Sequence, residues 1–131
     1  MYSKETERGT ISVSNRVFAD LILSALEMDG LEDRIWVSTR KARILENEND
    51  VAASLKVDRT ESGRIDLAFS IVVRFGESIS ALTDKLAERI ADTIYKGTAR
   101  MPERITIFVA GVKSRDIARR AVEVVKEYEP E

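Results

Sequence analysis

The sequence has no cysteine and no histidine among its 131 residues. That excludes disulfides, thiolate nucleophiles, imidazole bases and the commonest transition-metal ligands together. An excess of one charge is missing too: 21 basic residues stand against 23 acidic, for a net charge of −2. No general positive field draws nucleic acid or an anionic membrane to the whole surface. Long apolar runs are also absent. The stretches Ala68–Phe75 and Ile107–Val112 fall far short of the roughly 20 residues that span a bilayer. The opening Met1-Tyr2-Ser3-Lys4-Glu5 lacks the apolar segment of a signal peptide, and nothing here can carry a lipid. The expected location is the cytoplasm, without direct membrane insertion.

What is present is globular: 44% hydrophobic and 34% charged residues, enough for one domain with its own core. Residues 1–9 read as a flexible tail and residues 10–131 as a single domain. Thr10-Ile11-Ser12-Val13 alternates like a short strand. Val17, Phe18, Leu21, Ile22, Ala25 and Leu26 then share one helical face, from a Ser14 cap to Gly30. Ile35, Trp36 and Val37 suit a short strand within a poorly patterned stretch, 31–50. Val51, Ala53, Leu55 and Val57 alternate, and so do Ile65, Leu67, Phe69, Ile71, Val73 and Phe75. A five-residue loop containing Gly63 joins the two runs as a β-hairpin. The other face of the second run, with Ser70 and Val72, is expected to be largely wet.

Ser78 caps a second amphipathic helix through Leu82, Leu86, Ile90 and Ile94, closed by Gly97. Ile105, Ile107 and Val109 form the last expected strand. Ser114 is then expected to cap an added C-terminal helix over 113–131, with Ile117, Ala121, Val124, Val125 and Tyr128 on its buried face. The fold class is α+β. The order approximates split β-α-β-β-α-β, with a mainly antiparallel sheet, two helices on one face and the extra C-terminal helix. The opposite face, carrying Val72, Phe108 and Ala110, needs cover from that last helix, from a second copy or from another protein.

Three patterns invite a chemical reading. Asp84, Glu88 and Asp92 recur on one helical stripe, but Lys85, Arg89 and Lys96 beside them favour a solvated face over a cation site. Arg34, Trp36, Arg40, Lys41 and Arg43 combine cations with a ring, as a phosphate-and-base surface would. The following Glu46, Glu48 and Asp50 cancel much of that field. Arg115, Arg119 and Arg120 form a second basic group. Gly111-Val112-Lys113-Ser114 is no phosphate loop, because Thr106 stands where that motif needs glycine. No carboxylate sits inside an apolar run where burial would raise its pKa, so a non-enzymatic protein without cofactor or metal is expected.

In order along the chain come Gly9-Thr10-Ile11-Ser12-Val13, Met28-Asp29-Gly30-Leu31 and Gly63-Arg64-Ile65-Asp66-Leu67. Val73-Arg74-Phe75-Gly76-Glu77-Ser78-Ile79, Gly97-Thr98-Ala99 and Ile105-Thr106-Ile107-Phe108-Val109-Ala110-Gly111-Val112 follow. Together these resemble the alkaline shock protein family, small envelope-stress proteins of Gram-positive bacteria, with Phe75 where that family usually has Tyr. The resemblance implies a cytoplasmic interaction or scaffold protein of the envelope stress response. It implies protein partners, including a membrane anchor protein that holds the chain at the membrane periphery; a homo-oligomer is expected instead from the apolar outer sheet face, unless the C-terminal helix covers it. It supplies no catalytic residue. The alternative is a small nucleic-acid-binding domain using residues 34–43.

Overall fold

Strand β3, Ile65–Arg74, is the spine of the computed structural model, which describes residues 7–129 and the side chains of residues 15–129. The elements before it are helix α1 (Glu7–Met28), strand β1 (Ile35–Ser38), helix α2 (Glu48–Ser54) and strand β2 (Lys56–Arg59). Helix α3 (Ile79–Thr98) and strands β4 (Arg104–Lys113) and β5 (Ile117–Glu127) follow it. One edge of β3 takes β2 beside its first half and β1 beside its second, both antiparallel. The other edge takes β4 in parallel, and β5 closes the order β1-β3-β4-β5 antiparallel to β4. Only β3 and β4 are parallel because α3 returns the chain between them, and parallel neighbours need such a crossover.

All three helices cover one face. Ile22 and Leu26 of α1, Val51 of α2, and Leu82, Leu86 and Ile90 of α3 pack on Leu67, Phe69, Ile71 and Val73 of β3 and Ile105, Ile107 and Val109 of β4. Helix α1 ends as Gly30 allows, at φ 66°, with Leu31 N–H bonded to the Leu26 carbonyl. Ser78 caps α3 by accepting the Ala81 N–H at 3.1 Å. That helix runs past Gly97 and ends where Ala99 turns left-handed, at φ 63°. Asn15 Nδ2 donates to the Ala52 and Leu55 carbonyls and so ties α1 to the end of α2.

Several expectations are corrected. Of the expected tail, residues 1–6 lie outside the described residues, and residues 7–9 are already helical. Thr10–Val13 is helix, not strand; four alternating residues cannot separate a period of 2 from 3.6, and Ile11 precedes Phe18 by two helical turns. Residues 48–54 are the short helix α2: the Asn47 side chain accepts the Asp50 N–H at 2.8 Å, with Glu48 and Asp50 in the favourable first turn. Val51 and Leu55 are both buried at i,i+4 spacing, so the apparent alternation was one helical face.

The fourth correction is the largest. The C-terminal segment from Ile117 is strand β5, not an added helix, so the chain order departs from the split β-α-β-β-α-β expectation although the class is α+β. Ile117, Val122, Val124 and Val125 are β-branched, and the free edge of β4 needs partners for its backbone groups. The outer sheet face is not wet either: Ser70 is 6% exposed and Val72 fully buried. Within the chain, the cover over Val72 and Ala110 is not a helix but the turn 39–44, through Ala42 and Ile44.

Candidate interaction surface

The cover begins where β1 ends. Thr39 Oγ1 accepts the backbone N–H groups of Lys41 and Arg43, each at 3.2 Å, and the Ala42 N–H reaches the Thr39 carbonyl. This winds the chain tightly enough to put Ala42 at φ 69°. Ala42 is buried against Val72 and Ala110, with Trp36, Ile44, Phe108 and Ile117 packed around them. Gly111 permits the fit, because a Cβ there would lie 2.8 Å from Ile117 Cγ2 and 3.1 Å from Ala42 Cβ. Ala110 is an extra residue in β4 relative to β3, which brings it and Gly111 onto the outer side together.

Cross-strand register orders that side into rows. Trp36, Val72, Gly111 and Arg119 form one row; Ser38, Ser70, Phe108 and Glu123 form the next. Arg74, Lys113 and Ile117 lie beyond the first. The Arg40 guanidinium stands 3.9 Å from the Phe108 ring centroid, and Lys113 Nζ stands 5.3 Å from the Trp36 centroid. Cations at such distances are held by the ring quadrupole. Cations from the two basic groups distant in sequence thus border one face: Arg40, Lys41 and Arg43 from the turn, and Lys113 and Arg119 from the β4–β5 hairpin, while Arg120, next to Arg119 in β5, lies on the opposite sheet face. Within these three rows Glu123 is the one carboxylate.

Arg34 is not part of this surface. Its Nη2 donates to Glu77 at 3.0 Å, and Arg74 reaches the other Glu77 oxygen at 2.9 Å. The Arg34 bond, and then the charges of both arginines, hold the Glu77 carboxyl below its ordinary range. Arg120 bonds the Arg119 carbonyl, and Arg115 and Arg119 are exposed.

The residues behind the family resemblance turn out to be structural ties. Asp29 holds Arg89, and Glu77 holds Arg34 and Arg74. Arg64 is only 7% exposed and donates to the carbonyls of Met101, Pro102 and Tyr128. Asp66 bonds Arg104 at 2.9 Å.

On the far side, α3 and the end of β5 frame a groove lined by Ala87, Ala91, Met101, Tyr95 and Tyr128. The acidic stripe forms its rim, with Asp84 bonded to Lys126 and Asp92 to Lys96. Burial first, then the charges of Glu88 and Asp84, push the Tyr128 phenol up. Among the described residues no group of three or more acidic side chains is placed to hold a metal ion. Sequence spacing found the stripe but missed the groove, because Tyr128 was assigned to a helix.

A helix-on-sheet α+β protein with a turn-covered outer face bordered by cations is the class that fold and surface define. The chain belongs to the alkaline shock protein 23 family, described by its cell envelope-related function; the family model matches residues 3–114. Curated proteins and solved structures gave no significant match. Among the described residues no helix is long and apolar enough to cross a membrane.

Proposed function

We propose that the chain serves the cell envelope as a non-catalytic interaction module, docking an acidic protein partner on its outer face between Arg40 and Lys113. The observation that carries this reading is the pair of cation–ring contacts, Arg40 on Phe108 and Lys113 on Trp36, on a face rich in arginine and lysine. Arginine and aromatic side chains are the residue types that concentrate binding energy at protein interfaces. A partner of this kind, anchored in the membrane, would hold the chain at the periphery in the cytoplasm.

A nucleic-acid reading is less well supported. Base stacking needs an open ring face, and here Arg40 and Lys113 stand over the two rings.

Trp36 is the only tryptophan, so its fluorescence reports this face directly. Titration with a glutamate-rich peptide should change the emission of the wild-type chain. Arg40→Glu combined with Lys113→Glu should abolish the response while leaving the melting profile close to wild type. An equal response in the double variant, or none in the wild type, sinks the reading. A stronger response to single-stranded DNA, falling steeply with salt, would favour the alternative.

A further inference from the structure

Strand β5 is the edge of the sheet, with no further strand on its outer side; the Arg119 carbonyl there accepts only the exposed side chain of its neighbour Arg120, at 3.0 Å. Which groups these are follows from its two ends. The Asp116 carbonyl accepts the Ser114 N–H, and the Tyr128 N–H donates to the Glu103 carbonyl, so even-numbered positions face β4 at both ends. The register to β4 slips between Val122 and Arg119, but both ends keep the same parity along one continuous strand, so the odd positions 117, 119, 121, 123, 125 and 127 point their N–H and C=O away from the sheet. An exposed edge eleven residues long is a template for another strand.

The sequence of this edge is self-complementary about Ala121. Folded antiparallel on a second copy around that residue, Arg119 faces Glu123 of the other copy and Ile117 faces Val125. On the opposite sheet face Ala118 meets Val124, and Arg120 meets Val122. Beyond the strand ends, Asp116 meets Lys126 and Arg115 meets Glu127. Every charged pair is of opposite sign, each occurs twice by symmetry, and all the outward-facing backbone groups meet outward-facing groups. Moving the centre one residue toward the N-terminus sets Arg120 against Arg120 of the other copy. Moving it one residue the other way sets Arg119 against Val125 and Ile117 against Glu127, which forfeits the ion pairs.

We infer that β5 is a self-association edge: two copies pair antiparallel through β5 about Ala121, joining their sheets into one continuous sheet. The inference rests on the edge backbone and its charge pattern and not on the outer-face docking reading, although Arg119 and Glu123 border both surfaces. The two-fold makes the contact closed, so it yields a dimer.

Sedimentation of the full chain at micromolar concentrations tests this, with circular dichroism as the folding control. The wild type should be dimeric. Arg119→Glu and Glu123→Arg, each alone, place like charges opposite at two points and should weaken the dimer about tenfold or more. Combined in one chain they restore opposite charges and should restore dimerisation. Ala121→Pro removes an outward N–H while leaving the bonds to β4, and should yield a folded monomer. A monomeric wild type overturns the inference, and so does a dimer that tolerates all three single substitutions. Failure of the double swap to rescue the weakened singles would overturn the register.

Discussion

Arg89 grips Asp29 with two hydrogen bonds, Nη2 to Oδ1 at 2.8 Å and Nε to Oδ2 at 3.2 Å. The contact pins the end of α1 to the middle of α3, so two helices that cover the same sheet face hold a fixed spacing. The Arg89 bond, assisted by its charge and that of Lys85, keeps the Asp29 carboxyl below its ordinary value of 3.8. A carboxyl depressed in the folded state contributes stability that is complete above its unfolded value. That contribution is lost as pH falls through the folded value. Thermal melts of the wild type should therefore drop as pH falls below about 4. Asp29→Asn should melt lower at neutral pH and lose less on acidification. Parallel acid limbs for the two proteins would rule out the pair as a source of the slope.

Arg64 joins three carbonyls that belong to two different connections: Met101 and Pro102 before β4, and Tyr128 after β5. Removing it leaves the buried Pro102 carbonyl unsatisfied, at roughly 1–3 kcal/mol before relaxation, and the part-buried Met101 and Tyr128 carbonyls at less, while also relieving a buried charge. The net expectation for Arg64→Met is a loss of about 2–4 kcal/mol in a denaturant titration. Arg64→Lys should recover little, because an ammonium lacks the planar fork that spans the three oxygens. A midpoint unchanged in Arg64→Met would mean the clamp is dispensable.

Two glycines should respond to alanine with opposite signs. At Gly111 the new methyl would sit 2.8 Å from Ile117 Cγ2 and 3.1 Å from the Ala118 carbonyl oxygen, backbone that cannot move aside cheaply. Gly111→Ala should cost about 1–3 kcal/mol by overpacking. At Gly97, inside α3, nothing lies within 4 Å of the added methyl. Gly97→Ala should stabilise by about 0.5–1 kcal/mol through helix propensity alone. Chemical denaturation reads both, and matching signs would show that the turn over the outer face adjusts freely.

These residues also show how far the sequence could be read. Leu67, Phe69 and Ile71 were legible as core because their alternation ran long enough to fix one period, and α3 because its stripe and its Ser78 cap agreed. Asn47 carried the signal for α2, but the alternation of Val51, Ala53, Leu55 and Val57 matched a strand equally well over so short a span. Residues 117–127 satisfy either period, and what decides for a strand is the unfilled edge of β4, a tertiary fact. The basic residues of the interaction surface were each visible, yet not their common face. Ala42 in a left-handed turn and the bulge at Ala110 bring them together, and neither has a local signature. Arg34 was visible as a cation, but its partner Glu77 lies 43 residues away.

Deleting residues 114–131 tests the reassignment of the C-terminal segment as strand. An added helix lying over a finished sheet could be removed with modest loss. Strand β5 cannot, because it pairs with β4 from Arg104–Glu127 to Lys113–Ile117 and supplies Tyr128 to the Arg64 clamp. Its loss would strip partners from the β4 edge beside the buried Ile105, Ile107 and Val109. An unpaired edge flanking apolar core is a recognised route to aggregation. The truncated chain should therefore express poorly or aggregate, and any soluble fraction should lack a cooperative melt. A truncated chain that stays monomeric and melts like the intact protein would show that β4 closes the sheet unaided. The edge of β4 would then be the true border of the fold.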